Sequence, residues 1–318
     1  MNILKSSLTT LFLKPLEDIK QMCYNIFVME AFMEKIAIIT DVNAGLDYID
    51  RKLDISVLRS MIHFGDEHYV DGIDMKANEF YEKLQNTDVI PSTSAPTIGE
   101  AMDLLDKLVE EGYTDAIMYA ISSQMSCICE MMQTLALEYE DKIKLHVFDT
   151  HLATYLQGYM AVCAKDMADQ GKSVKEILEY SEYLRNNVHE YFVVDDLKYL
   201  VKNGRLKSFA GAVAALLKIK PILHIDTDGK IVVHSKVRTH SKAMEEAFNK
   251  IIAELEEAKK VKMFVFHTCR ENDAKLLMEK IKNVNPKFDD IDVYMVTPAV
   301  GAHIGPGILG FGYYILEK

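Results

Sequence analysis

Short apolar runs that stop at polar side chains recur along this chain, each followed by a stretch with helical spacing. Ile36-Ala37-Ile38-Ile39-Thr40-Asp41 is one. Residues 115–123 close on Ser122-Ser123, and residues 143–148 are followed by Asp149-Thr150-His151. Such runs have the pattern of strands buried on both faces, which occur in parallel sheets covered by helices. Their alternation with helices, expected here over residues 124–139 and onward from 151 to about 170, predicts a mainly parallel α/β sheet. In such sheets ligands bind beyond the carboxyl ends of the strands. Thr40-Asp41, Ser122-Ser123 and Asp149-Thr150 therefore mark where a site is expected.

The second half has another rhythm. Ser173 and Glu176 have capping-box spacing at the head of a helix reaching about residue 187. A strand is expected over 191–194, then a short helix capped by Asp195 and ended by Asn203-Gly204. Residues 208–217 are small and apolar, and Asp228-Gly229 joins 221–225 to 230–233 as a hairpin. A helix over 241–259, a strand over 261–266, a helix over 273–284 and a strand over 291–296 precede a glycine-rich end. A chain of 318 residues suits two domains better than one core. We place them at 35–165 and 166–318, after an extension over 1–34. Residues 11–29 of that extension have the pattern of an amphipathic helix, and Lys14, Glu17, Asp18 and Lys20 make it a poor signal peptide.

Charge and cysteine usage narrow the function. Forty-eight acidic side chains against 36 basic ones give a net charge of −12, which argues against a nucleic-acid surface or an anionic membrane. It leaves room for a buried site that takes one small anion. No apolar run approaches the length of a membrane span, so no stable insertion is expected. The five cysteines are irregularly spaced, the usage of a reduced, cytoplasmic protein. Cys127 and Cys129 are too close for a zinc pair, and His224, His234 and His240 lack ligand spacing, so no metal is expected.

The polar candidates fall in a few stretches. In Pro91-Ser92-Thr93-Ser94-Ala95-Pro96, two prolines stiffen a loop that carries hydroxyls. Upstream, Asp74 can cap a helix over about residues 75–84, and after the loop Thr97 and Glu100 have the spacing of a capping box for a helix to about residue 111. Hydroxyls beside a helix N-terminus either bind an anion or only cap the backbone. Ser122-Ser123-Gln124-Met125-Ser126 offers the same choice at a strand-to-helix turn. No Gly-x-Ser-x-Gly elbow supports a hydrolase nucleophile. His267 ends a strand, where it either serves a ligand or is structural. Gly301-Ala302-His303-Ile304-Gly305-Pro306-Gly307 lets backbone approach a ligand or partner closely, but lacks the Lys-Ser/Thr of a phosphate loop.

Taken together, these stretches resemble the DegV family of fatty-acid-binding proteins over nearly all of residues 35–317. The resemblance is carried by Ile38-Ile39-Thr40-Asp41, Phe64-Gly65-Asp66-Glu67-His68-Tyr69-Val70-Asp71-Gly72, Thr93-Ser94-Ala95-Pro96-Thr97, Ile121-Ser122-Ser123-Gln124-Met125-Ser126 and Phe148-Asp149-Thr150. It continues through Tyr199-Leu200-Val201-Lys202-Asn203-Gly204-Arg205, Ile219-Lys220-Pro221-Ile222-Leu223, Lys236-Val237-Arg238, His267 and the segment from Gly301 to Gly307. It implies a two-domain α/β fold, with a mainly parallel sheet first and a mixed sheet with helices second. It further implies that one long-chain fatty acid is held between the domains.

Carried over, the carboxylate is held by Thr93, Ser94, Ser123 or Ser126, and His267. Arg205, Gly305 and Gly307 are supporting candidates. The resemblance further implies a carrier in bacterial phospholipid metabolism, with no cofactor and no catalytic residue. Its partner would be a fatty-acid kinase that makes acyl phosphate from the presented acid. Ala95 and Thr97 replace the family's Gln and Ser, and Met125-Ser126-Cys127-Ile128-Cys129 replaces its Leu-Ser-Gly-Thr-Tyr. Asn203 stands where the family has glycine. These departures bear on partner choice more than on lipid binding. The rival readings are a serine-dependent hydrolase or acyltransferase using Ser123 or Ser126 with His267, and a regulatory interaction protein.

Overall fold

The computed structural model of the chain describes residues 34–206 and 219–318; the expected helix over 11–29 and the stretch 208–217 lie outside the described residues. The first apolar run forms strand β1 (Ile36–Asp41), followed by β2 (Ser56–Leu58), β3 (Met61–Phe64) and β4 (Glu67–Val70). Helix α1 (Ala77–Gln85), β5 (Ser92–Ser94), helix α2 (Ile98–Glu110) and β6 (Asp115–Ala120) come next. Helix α3 (Ile128–Glu138), β7 (Lys144–Asp149) and the long helix α4 (Thr154–Asp169) complete the first half.

Four of these strands make a parallel sheet in the order β2-β1-β6-β7, with Thr40 beside Val57, Ile38 beside Ile117 and Met118 beside Val147. Every residue of β6 is buried because both faces are covered. Leu105 of α2 and Met132 of α3 pack with Ile39 and Met118 on one face. Leu156 and Met160 of α4 pack with Ile38 and Ile117 on the other. Full burial of such a side chain contributes about 1.5–3 kcal/mol. The hydroxyl loop, expected as irregular, is partly a strand: β5 joins a small antiparallel sheet, β4-β3-β5, with Thr93 opposite Ile62.

The second half runs through α5 (Val174–Arg185), β8 (Val188–Val193), α6 (Lys198–Lys202), β9 (Lys220–Ile225), β10 (Ile231–Val237) and α7 (His240–Glu254). It ends with β11 (Lys260–His267), α8 (Glu271–Lys282), β12 (Ile291–Met295), α9 (Pro298–Ile304) and β13 (Leu309–Glu317). These strands form a mixed sheet, β10-β9-β8-β13-β11-β12, in which β11 and β12 run parallel and the other neighbours antiparallel. Ile251 of α7 and Leu277 of α8 cover one face with Val265 and Phe311. The other face presents Phe264, Phe266 and Tyr314 to Leu156 of α4 and Ile177 of α5. Helices α4 and α5 thus form a layer between the two sheets, and the expected boundary at residue 165 falls inside α4.

Local chemistry explains where elements begin. Thr97 Oγ1 accepts from Glu100 N at 3.2 Å and Glu100 Oε2 accepts from Thr97 N at 2.7 Å, the expected box. Ser173 and Glu176 make the same pair at the head of α5. Helix α3 starts at Ile128, not 124, because the backbone amides of Met125 and Ser126 bond back to Ser122 O and Ser122 Oγ accepts from Gln124 N. This is side-chain competition with helix formation. Two expected caps are engaged elsewhere. Asp74 Oδ2 accepts from Val70 N at 2.8 Å, and Asp195 pairs with Lys220 and Arg270 while Asp196 bonds Lys198 N.

Candidate functional site

Past the carboxyl ends of β1 and β6 lies a cleft of about 290 Å³. Asn43 and Ile121, just beyond those strand ends, form part of its wall. The polar strand ends themselves do not point into it. Thr40 Oγ1 donates to Tyr119 O, Thr150 Oγ1 to Ala120 O, and Ser122 Oγ to Gly229 O, each at 2.8 Å. They tie strands and a hairpin together. Asp41 is wholly buried, and its carboxylate is consumed by Asn43 N and Nδ2, Ile121 N and Gln157 Nε2. Burial pushes its pKa up, and those donors oppose the shift. Its role is to position Asn43 and Ile121 rather than to meet a ligand.

The polar lining comes from elements distant in sequence. Strand β5 supplies Thr93 and Ser94, the turn before α3 supplies Ser126, the segment after α6 supplies Arg205, and α9 supplies His303. Thr93 Oγ1 and His303 Nε2 are 2.7 Å apart. Burial, followed by the Arg205 charge, pushes the His303 imidazole down to about 3, so it is neutral at physiological pH. Its Nδ1 is buried without a partner among the described residues. Ser94 Oγ lies 2.8 Å from His63 Nε2, and His63 Nδ1 lies 2.7 Å from His68 Nδ1.

Arg205 is half-buried; its Nε donates to Met125 O at 3.2 Å and its Nη1 to Asn203 O. Among the described residues no carboxylate forms an ion pair with it, and the cleft wall contains no Asp or Glu. A desolvated cation sharing a wall with hydroxyls and a neutral imidazole, and with no acid on that wall, has the chemistry to take an anion.

Apart from Asn43 and Ser60, the rest of the wall is apolar or a thiol. Met125, Ala153, Ile231, Val300 and Ile304 also line an adjoining cavity of about 40 Å³ that continues toward Leu156, Phe192 and Phe266. The geometry is a polar mouth on an apolar channel, the form of a site for an amphipathic anion.

Four of the expected residues, Thr93, Ser94, Ser126 and Arg205, therefore meet in one cleft. Ser123 and His267 are not among its lining residues. Ser123 N bonds the Asp149 carboxylate at 3.3 Å, and buried His267 accepts from Arg270 N at its Nδ1. Among the described residues neither Ser123 nor Ser126 is hydrogen-bonded to an imidazole, so the geometry gives the serine-hydrolase reading no activated nucleophile. Gly305 and Gly307 serve the fold. With φ of +79° and +84°, a Cβ there would lie 2.4 Å from the Tyr199 ring and 2.2 Å from Asp195 Oδ2. His303 is the residue that sequence reasoning passed over. The signal was Thr297-Pro298, an N-cap followed by proline at the first helical position, which opens α9 and sets His303 in its last turn.

Among the described residues there is no group of three or more His, Cys, Asp or Glu placed to hold a metal, and no helix long and apolar enough to cross a membrane. The family model described as an uncharacterised protein of the DegV family matches residues 35–316. A DegV domain-containing protein of Clostridium acetobutylicum is 34% identical over 282 residues, covering 87% of this chain and 98% of its own. The crystal structure of a fatty acid binding DegV family protein from Streptococcus agalactiae superposes with a TM-score of 0.81 at 27% identity, over 88% of this chain and 99% of that one. The Streptococcus pneumoniae fatty acid kinase B3 protein, solved loaded with linoleic acid, shares the fold with a TM-score of 0.76 at 22% identity, over 88% and 99%.

Proposed function

This chain belongs to the DegV family, and from that premise we propose that it binds one long-chain fatty acid between its two sheets. The carboxylate sits among Arg205, Thr93, Ser94, Ser126 and His303, and the acyl chain follows the apolar channel along Ala153, Val300 and Ile304. The observation that carries this reading is Arg205: a half-buried guanidinium with no carboxylate partner among the described residues, at the mouth of an otherwise apolar channel.

The energetics agree in sign. Each buried methylene contributes about 0.8 kcal/mol, so roughly fourteen give on the order of 11 kcal/mol before ordering costs. An unpaired buried carboxylate would cost several kcal/mol of that gain. Charge-assisted hydrogen bonds of about 1.5–3 kcal/mol each offset the loss.

The protein performs no covalent step in this reading. The sequence contains no Gly-x-x-x-x-Gly-Lys-Ser/Thr loop to cradle ATP phosphates. A separate kinase joins the γ-phosphoryl group of ATP to the presented carboxylate, giving acyl phosphate and ADP. The setting is cytoplasmic, consistent with Cys127, Cys129, Cys163 and Cys269 being free thiols. Solvent extraction of the purified chain followed by mass spectrometry tests the ligand. A free long-chain acid, recovered unesterified, is expected. A serine-linked acyl group on the denatured protein would support the enzyme reading instead.

A further inference from the structure

The apolar channel does not end on apolar side chains alone. Its wall includes Glu190 of β8, which also borders a second cavity of about 420 Å³. That chamber mixes apolar side chains with polar and charged ones, Thr150, His151, Arg185, His189 and His224 among them. Glu190 is 2% exposed, and its Oε1 accepts from Ile225 N at 2.6 Å. Glu190 and Ile225 are common to both walls, so one carboxyl stands where a channel suited to methylenes meets a chamber that carries charged and polar side chains.

We propose that Glu190 is the end-stop of the acyl channel and sets the length of chain that the protein accepts. This rests on the fatty-acid reading of the cleft. A chain whose methyl end stops short of Glu190 leaves the carboxyl in touch with the chamber. A longer chain must press methylenes against it and strip that contact, which disfavours the charged form most. Burial pushes the Glu190 carboxyl up to about 7, opposed by His189 and Ile225 N, so its charge changes near neutrality. The other ionisable groups around it are His151, Arg185, His224 and Asp226 across the chamber, Tyr191 on its own strand, Tyr294 on β12, and Tyr313 and Tyr314 on β13. The stop is accordingly firmer at alkaline than at acidic pH.

The test loads the delipidated full chain with an equimolar series of saturated acids from lauric to arachidic and quantifies the retained acids on either side of neutrality. Wild type should show a length cut-off that sharpens as pH rises. Glu190→Ala should enrich the acid two carbons beyond that cut-off by about tenfold, what two newly buried methylenes supply. Glu190→Gln, which keeps the shape, should hold the cut-off but lose its pH dependence. Wild type that retains no acid overturns the ligand reading and this inference with it. Wild type that binds, with both variants keeping its length profile and its pH response, overturns this inference alone.

Discussion

At the residue scale, the mouth of the cleft divides side chains that resemble one another in sequence. Ser94 lines the cleft while Ser123 spends its backbone on Asp149. His303 faces Thr93 while His267 is held beneath the Arg270 amide. Two contrasts follow. Ser94→Ala should weaken fatty-acid binding by about 1.5–3 kcal/mol, the cost of a hydrogen bond to a charged acceptor, while Ser123→Ala should leave affinity unchanged. Equal affinities of both variants and wild type in a fluorescent fatty-acid displacement assay would refute the head-group assignment. His303→Ala should lower affinity with little loss of stability, and His267→Ala the reverse.

Thr93, Ser94 and Ser126 were legible as candidates because they sit in hydroxyl-rich stretches beside helix starts, whereas Arg205 entered only through the family resemblance. His303 was not legible, because a glycine-rich segment hides the helix turn that aims it. Asp71 shows another effect invisible in sequence. Its Oδ2 caps the N-terminus of α9 through Ala299 N at 2.8 Å, while Oδ1 is buried without a partner among the described residues. Burial raises its carboxyl from 3.8 to about 7, against the Ala299 amide and Arg59. A carboxyl raised on folding contributes stability that is complete below its unfolded value and lost as pH rises through the folded one. Denaturant unfolding should therefore show stability falling between about pH 4 and pH 7, with a shallower fall in Asp71→Asn. Equal slopes in the two proteins would refute that assignment.

At the element scale, strands were legible wherever both faces are buried, as in β1, β6 and β11, since a continuous apolar run has few other uses. Capping boxes at Thr97 and Ser173 were legible because both partners lie within one turn. The caps expected at Asp74 and Asp195 failed for one reason. Each carboxylate found partners that local spacing does not reveal: a backbone amide in the preceding strand for Asp74, and cations brought from β9 and the start of α8 for Asp195. Thr97 is not part of the cleft wall, so Thr97→Ala should cost about 1 kcal/mol of stability and leave lipid capacity intact. Loss of lipid from a folded Thr97→Ala protein would mean that the N-terminus of α2 belongs to the head-group site.

At the scale of the whole molecule, the α/β class and the change from a parallel to a mixed sheet followed from the rhythm of the chain and its resemblance. The cleft did not, because β5, the segment after α6, and α9 are far apart in sequence and meet only in the folded chain. Its volume of about 290 Å³ is near the lower end of ligand pockets, roughly 300–1,000 Å³. Met125, on the wall of both the mouth and the channel, is the adaptable side chain that can yield to a longer ligand. A carrier of this kind should form no acyl phosphate from fatty acid and ATP by itself and should support turnover when a fatty-acid kinase is added. ATP consumption by the purified chain alone would contradict that division of labour.

The most direct measurement is calorimetric titration of the delipidated chain with oleic acid, in parallel with Arg205→Ala. One acid per chain is expected at saturation, with affinity at least tenfold weaker in the variant, since a hydrogen bond to a charged group is worth about 1.5–3 kcal/mol. An absence of binding, or equal affinity in the two proteins, would contradict a fatty-acid site built around Arg205.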